Sequence, residues 1–441
     1  MTGRSASHEH ILLAGGRVVD PAVGLDQVAD VLVSKGVIAA ISPSIEPPKG
    51  ALAIDCTEKI VMPGLVDLHV HLRDPGREDK ETILTGSRAA VHGGFTAVCA
   101  MPNTSPICDT ASAVRYVIEA AEEQAFCRVY PIGAVTMGSA GTALAEIADM
   151  HGAGAVAFSD DGHGVQDAGM QRLAMDYAKM LPTVLISHCE DEALAAGGVV
   201  NEGVVSTRLG MSGWPAAAEE IAVARDIRLA QLTGCRLHLA HLSTAGSVEL
   251  VRAAKEQGIP VTCEATPHHL FLDEDAIDTT YDTNLKINPP LRTVADREAL
   301  LAALLDGTVD CIATDHAPHA SHEKELEFEI APFGTTGLET ALSLVNTHLV
   351  AKQVIDWPVV VERMCHGART AVPGLPEMRL AEGQVADITV FDPEARVAVT
   401  EGWFESLSAN SAFLGVALLG KASEVLVGGR IVLRNGKVVD R

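Results

Sequence analysis

A chain of 441 residues, 47% hydrophobic and 21% charged, can bury a large core and has room for one big domain beside a smaller one. Its formal net charge of −25 excludes a general affinity for nucleic acid or anionic membranes, and no apolar run approaches membrane-spanning length. The polar start, residues 1–10, carries no secretory pattern, and nine cysteines without a Cys-x-x-Cys pair read as reduced thiols of a cytoplasmic protein.

The first element is a Gly-rich strand pattern, Leu12-Leu13-Ala14-Gly15-Gly16-Arg17-Val18-Val19. A similar one, Val425-Leu426-Val427-Gly428-Gly429-Arg430-Ile431-Val432, lies near the other end. Further β-like pieces at 31–33, 37–41 and 386–391 are punctuated by Gly, Pro and Asp. Residues 1–62 and 375–441 are therefore expected to build one small discontinuous β-sandwich from both termini. Between 63 and 374 short apolar strands alternate with Ala- and Leu-rich helical stretches, the pattern of a parallel α/β architecture. Eight strands are predicted, over or ending near 68–71, 96–102, 129–134, 155–159, 184–188, 237–241, 261–264 and 311–314, with helices such as 111–124, 217–232 and 248–257 between them. The α/β class and this count point to a closed (β/α)8 TIM barrel, which keeps its chemistry at the C-terminal strand ends.

The first strand ends in Asp67-Leu68-His69-Val70-His71, and alternation along a strand puts His69 and His71 on one inward face. One His-x-His pair is as compatible with packing as with a metal. His188 and His241 close the fifth and sixth strands, however, and four inward histidines at one rim are hard to explain as packing. Asp315 brings a carboxylate to the same rim, able to ligate a metal and to take a proton from bound water. Many two-metal amidohydrolases bridge their ions with a carbamylated lysine on strand four, but no lysine occurs between Lys80 and Lys179. Strand four ends instead in Ser159-Asp160-Asp161-Gly162, so one of these two aspartates must be the bridge, if there is one.

These residues resemble dihydroorotases of the longer bacterial type within the amidohydrolase superfamily. The resemblance is carried by Asp67-Leu68-His69-Val70-His71-Leu72-Arg73-Asp74-Pro75-Gly76, Met101-Pro102-Asn103-Thr104, Asp160-Asp161-Gly162, His188-Cys189-Glu190-Asp191, Lys286-Ile287-Asn288-Pro289-Pro290-Leu291-Arg292 and Ala313-Thr314-Asp315-His316-Ala317-Pro318-His319. It implies one metal on His69, His71, Asp161 and Asp315, and a second on Asp161, His188 and His241. The count is one or two Zn2+ per chain, with two favoured. It further implies that Arg73, Asn103 and His319 grip a substrate carboxylate, that Asn288, Phe333 and Gly334 line the pocket, and that the polar run 320–330 is a mobile loop over the site. His163 departs from the pattern, as a small apolar residue is expected there; it reads as a solvent-facing loop residue or as part of the pocket.

The activity so implied is reversible cyclisation of N-carbamoyl-L-aspartate to L-dihydroorotate in pyrimidine biosynthesis, by a cytoplasmic homodimer able to associate with aspartate carbamoyltransferase. Two rivals follow from the same motifs. A hydantoinase, dihydropyrimidinase or allantoinase would share the barrel and histidines but typically carries the bridging lysine and has no need of Arg73. A dihydroorotase-like scaffold would have lost its ligands, whereas every expected ligand is present here.

Overall fold

The computed structural model describes residues 9–439. The chain opens with five strands, β1 (His10–Asp20), β2 (Leu25–Ser34), β3 (Val37–Ser42), β4 (Leu52–Asp55) and β5 (Ile60–Pro63). It then alternates strands with helices through β6 (Leu65–Val70), β7 (Phe95–Ala100), β8 (Arg128–Gly133), β9 (Ala157–Phe158) and β10 (Leu185–Ser187). A short excursion pairs β11 (Val200–Asn201) with β12 (Gly213–Trp214) before β13 (Leu237–Leu239), β14 (Val261–Ala265) and β15 (Cys311–Ile312). Four strands end the chain: β16 (Ile388–Ala398), β17 (Ala417–Val427), β18 (Arg430–Arg434) and β19 (Lys437–Val438).

Eight parallel strands run in the order β15-β14-β13-β10-β9-β8-β7-β6. A parallel bridge from Val70 to His316 then joins β6 to the segment after β15 and closes the ring, with the His71 N–H donating to His316 O at 2.9 Å. This is a (β/α)8 barrel, and all eight predicted strand ends fall in it. The predicted helix at 111–124 is found as Ala111–Gln124, where the Thr110 hydroxyl accepts from the Ala113 N–H at its start. Thr82 and Thr244 cap the helices Ile83–His92 and Ala245–Glu256 in the same way.

Alternation sorts the barrel side chains. Leu65, Val98, Val129, Leu185, Leu237 and Leu239 pack in the cluster shared with the helices, whereas Val66, Leu68, Ala97, Cys99, Ile132, Ile186, Ala240 and Cys311 form a separate interior one. Two site residues break the alternation. A register shift between Asp67 and Val70 moves β6 by one position, so His69 follows Leu68 inward. His241 turns inward through a left-handed backbone with φ of +31°.

The strands from both ends of the chain form one nine-stranded sheet, joined where β16 runs antiparallel to β5. His366, beside the last barrel helix, Gly367–Ala371, donates from Nε2 to Asp20 Oδ1 at 2.9 Å and so ties this sheet to the barrel. Burial disfavours the imidazolium, but the Asp20 carboxylate outweighs it and raises the His366 pKa to about 10. A raised folded-state pKa stabilises fully below the unfolded value of 6.5 and is lost as pH climbs through about 10. His366→Gln is therefore expected to cost about 2 kcal/mol at pH 6, with a smaller deficit at pH 10. Denaturant unfolding of both proteins at the two pH values checks this, and a deficit independent of pH would remove the imidazolium from the account.

Among the described residues no helix is long and apolar enough to cross a membrane.

Candidate active site

The rim at the C-terminal strand ends gathers six of the predicted residues. Asp161 Oδ1 lies 3.3 Å from His69 Nε2, 3.5 Å from His188 Nδ1 and 3.8 Å from His241 Nε2. Its Oδ2 lies 3.5 Å from His71 Nε2. Asp315 Oδ1 sits 3.1 Å from His71 Nε2 and 3.5 Å from His69 Nε2. All six residues are buried. Burial alone would neutralise the two carboxyls, but the facing histidines, His69 above all, hold both below the ordinary aspartate range, Asp161 well below.

The neighbouring aspartates on the fourth strand's exit do different work. Asp160 Oδ1 accepts from the Val135 and Thr136 N–H groups at 2.8 and 3.0 Å, and the Thr136 hydroxyl donates to Oδ2. Asp160 thus pins the loop after β8, while Asp161 alone faces the histidines. Sequence spacing left the two equivalent.

Three polar contacts behind the histidines were not anticipated. His69 Nδ1 donates to Glu264 Oε1 at 2.8 Å, His71 Nδ1 to Asn103 Oδ1 at 2.8 Å, and His188 Nε2 to Glu190 Oε2 at 2.9 Å. Each contact occupies one ring nitrogen and leaves the other toward Asp161 or Asp315. Asn103, expected on the substrate, thus has its carbonyl engaged by His71 and only its amide group left for the cleft. Glu190 also accepts from Asn288 Nδ2 at 3.2 Å. Glu264 carried a signal in the sequence, being a carboxylate at an inward position on strand seven.

A cleft opens over the cluster, lined by His71, Arg73, Asn103, Asp161, His188, His241, Asn288, Asp315, His319, Phe333 and Gly334 among others. His69 lies beneath it, fully buried. Arg73 reaches the cleft from a residue with φ of +59°. Among the described residues its guanidinium makes one hydrogen bond, from Nε to Pro318 O at 3.3 Å, and none of their carboxylates lies in ion-pair reach of it. Burial lowers its pKa to about 10, still cationic at neutral pH.

His319 Nε2 donates to Phe333 O at 2.8 Å, so in this conformation that N–H is spent on backbone rather than offered to the cleft. Gly334 has φ of +134°, and a Cβ there would stand 2.8 Å from Ala317 Cβ and 3.0 Å from His319 Nε2, so no side chain fits. Phe333 packs edge-on to Trp214, with Lys286 Nζ 4.6 Å from its ring centre.

The polar run 320–330 is docked over this wall. Glu323 pairs with Lys80 at 2.9 Å and Arg77 at 3.2 Å, Lys324 Nζ donates to Thr283 O and Pro332 O at 2.9 Å, and Phe328 is buried in a small cluster. His163 is exposed, pairs with Glu192 at 3.1 Å and does not line the cleft, which leaves its loop reading.

Comparison with known proteins agrees with this geometry. A family model described as dihydro-orotase-like matches residues 58–247. The chain is 50% identical to a dihydroorotase of Pelotomaculum thermopropionicum over 96% of its own length and 99% of the relative's. The chain belongs to the dihydroorotase family. A dihydroorotase of Geobacter metallireducens is 47% identical over 96% of this chain and its own full length. Among solved structures, the L-hydantoinase (dihydropyrimidinase) of Arthrobacter aurescens superposes with a TM-score of 0.88 at 28% identity, covering 98% of this chain and 97% of that one. The dihydroorotase family thus shares its fold with other cyclic amidohydrolases.

In this family member the buried donors fit a metal centre. His69, Asp161 and His241 offer ligand atoms within 4.8 Å of one another, as do His69, His71 and Asp315. His69 Nε2 and Asp161 Oδ1 are buried without a hydrogen-bond partner, a costly state that a cation between them relieves.

Proposed function

We propose that the protein is a zinc-dependent dihydroorotase that closes N-carbamoyl-L-aspartate to L-dihydroorotate and catalyses the reverse. The observation that carries this is Arg73, a guanidinium without a carboxylate partner among the described residues, on the wall of a cleft floored by Asp161, His71, His188 and His241, with His69 beneath. A neutral cyclic amide gives such a guanidinium nothing to bind, whereas dihydroorotate carries a carboxylate for its two parallel N–H groups.

His69, His71, Asp161 and Asp315 would hold one divalent ion, and Asp161, His188 and His241 a second. When bound, these ions supply Lewis-acid polarisation of the ring carbonyl and a nucleophilic oxygen at neutral pH. Arg73 anchors the substrate carboxylate, with the Asn103 amide beside it. Asn288 and the Phe333-Gly334 backbone confine the ring. Asp315, whose carboxylate lies 3.1 Å from His71 Nε2 and 3.5 Å from His69 Nε2 on the wall of the cleft, takes the nucleophile's proton during ring opening and returns it to the departing amide nitrogen. In the closing direction the same carboxylate removes the ureido proton. His319 grips the carboxylate only after exchanging its Phe333 contact, a change that the docked 320–330 run is placed to accompany.

Nine free, buried cysteines suit a reducing cytoplasm. A homodimer and an association with aspartate carbamoyltransferase belong to the same reading.

Ring opening of L-dihydroorotate, measured beside hydantoin, dihydrouracil and allantoin on zinc-loaded protein, tests the assignment. Selective opening of dihydroorotate is expected. Preference for a neutral ring would move the protein to the hydantoinase class, and inactivity on all four would move it to a scaffold.

A further inference from the structure

Glu264 lies at the end of β14 with its side chain fully buried, and it does not line the cleft. A carboxylate in such a place is costly unless its partners hold it. Its partners here belong to the site. Oε1 accepts from His69 Nδ1 at 2.8 Å and from the His241 backbone N–H at 3.2 Å, while Oε2 faces His238 Nε2 at 3.1 Å. Donation to Glu264 places the His69 proton on Nδ1 and leaves the Nε2 lone pair toward Asp161 and Asp315. At His241 the same oxygen holds the left-handed residue whose backbone turns the ring into the cleft.

We propose that Glu264 is a positioning residue for both halves of the metal centre, fixing the ring nitrogen that His69 presents and the backbone that aims His241. The proposal rests on the reading of these two histidines as metal ligands. His238 shares the carboxylate but turns its other nitrogen to Thr262 Oγ1 at 2.8 Å, so it supplies a control with the same buried neighbourhood.

Zinc binding to the metal-stripped full-length protein, read by competition with a chromophoric chelator, tests this independently of turnover. Glu264→Gln keeps the shape of the side chain but replaces one acceptor with a donor. It is expected to weaken zinc binding about 10- to 100-fold, with His238→Gln close to wild type. A cycle with His69→Ala separates positioning from general damage: Glu264→Gln is expected to cost clearly less in the His69→Ala background than alone. Wild-type affinity in Glu264→Gln, or the same fold-loss in both backgrounds, overturns the proposal. Should Glu264→Gln fail to fold, 15N-histidine NMR of the metal-stripped wild type, at a pH where the His69 ring is neutral, decides, a His69 proton on Nδ1 supporting the proposal and one on Nε2 overturning it. A wild type that binds no zinc overturns the metal reading and this proposal with it, whereas zinc binding that ignores Glu264 overturns only the latter.

Discussion

Asp315→Asn is expected to lower kcat for L-dihydroorotate by about a thousandfold or more while the protein stays folded. The side chain ends 3.1 Å from His71 Nε2 and 3.5 Å from His69 Nε2, on a residue whose φ of +48° aims it into the cleft. Asparagine retains the size and one oxygen of the carboxylate but cannot hold the transferred proton. The proposed mechanism therefore loses its base while Arg73 still binds substrate, so KM should move far less than kcat. Metal content measured on the same sample separates this from loss of a ligand. Near-normal turnover by the variant would assign the proton transfer elsewhere.

Arg73→Lys is expected to act in the opposite kinetic compartment, raising KM for dihydroorotate about 10- to 100-fold. That factor corresponds to about 1.5–3 kcal/mol, the usual worth of a hydrogen bond to a charged group. Lysine keeps the positive charge but not the planar pair of donors, and its stem must reach across the same buried wall. Substrate titrations at fixed zinc give KM and kcat separately. An unchanged KM would confine Arg73 to its contact with Pro318 O.

The outline of the barrel was legible because its determinants are local. Apolar runs bounded by Gly and Pro mark strands, and Thr110 ahead of an Ala-rich stretch marks where a helix begins. The cluster was legible as a set, since His69 lies at the end of a strand and His71, His188, His241 and Asp315 each follow one within three residues. Exceptions to local rules were not legible. Strict alternation would place Leu68 and His69 on opposite faces, and only the register shift in β6 lets both point inward. Nothing in Leu239-Ala240-His241 announces a left-handed residue. The choice between Asp160 and Asp161 depends on whether backbone N–H groups or imidazoles lie opposite, and that is set by the loop after β8, distant in sequence. The run 320–330 reads as solvated because it is polar, yet Lys324 is buried among backbone carbonyls that no pattern in its own segment reveals.

The barrel closes through a single bridge, Val70 to His316, and the site straddles that seam: His71 and Asp315 meet across 244 residues of chain. A growing polypeptide therefore displays its His-x-His pair long before the carboxylate opposite exists. An ion seated between the two would bind only a ring already shut, acting as a clasp on a join held by one bridge. Metal supply would then bear on the yield of finished protein as well as on its turnover, since a ligand that recognises only the closed form draws the folding equilibrium toward it.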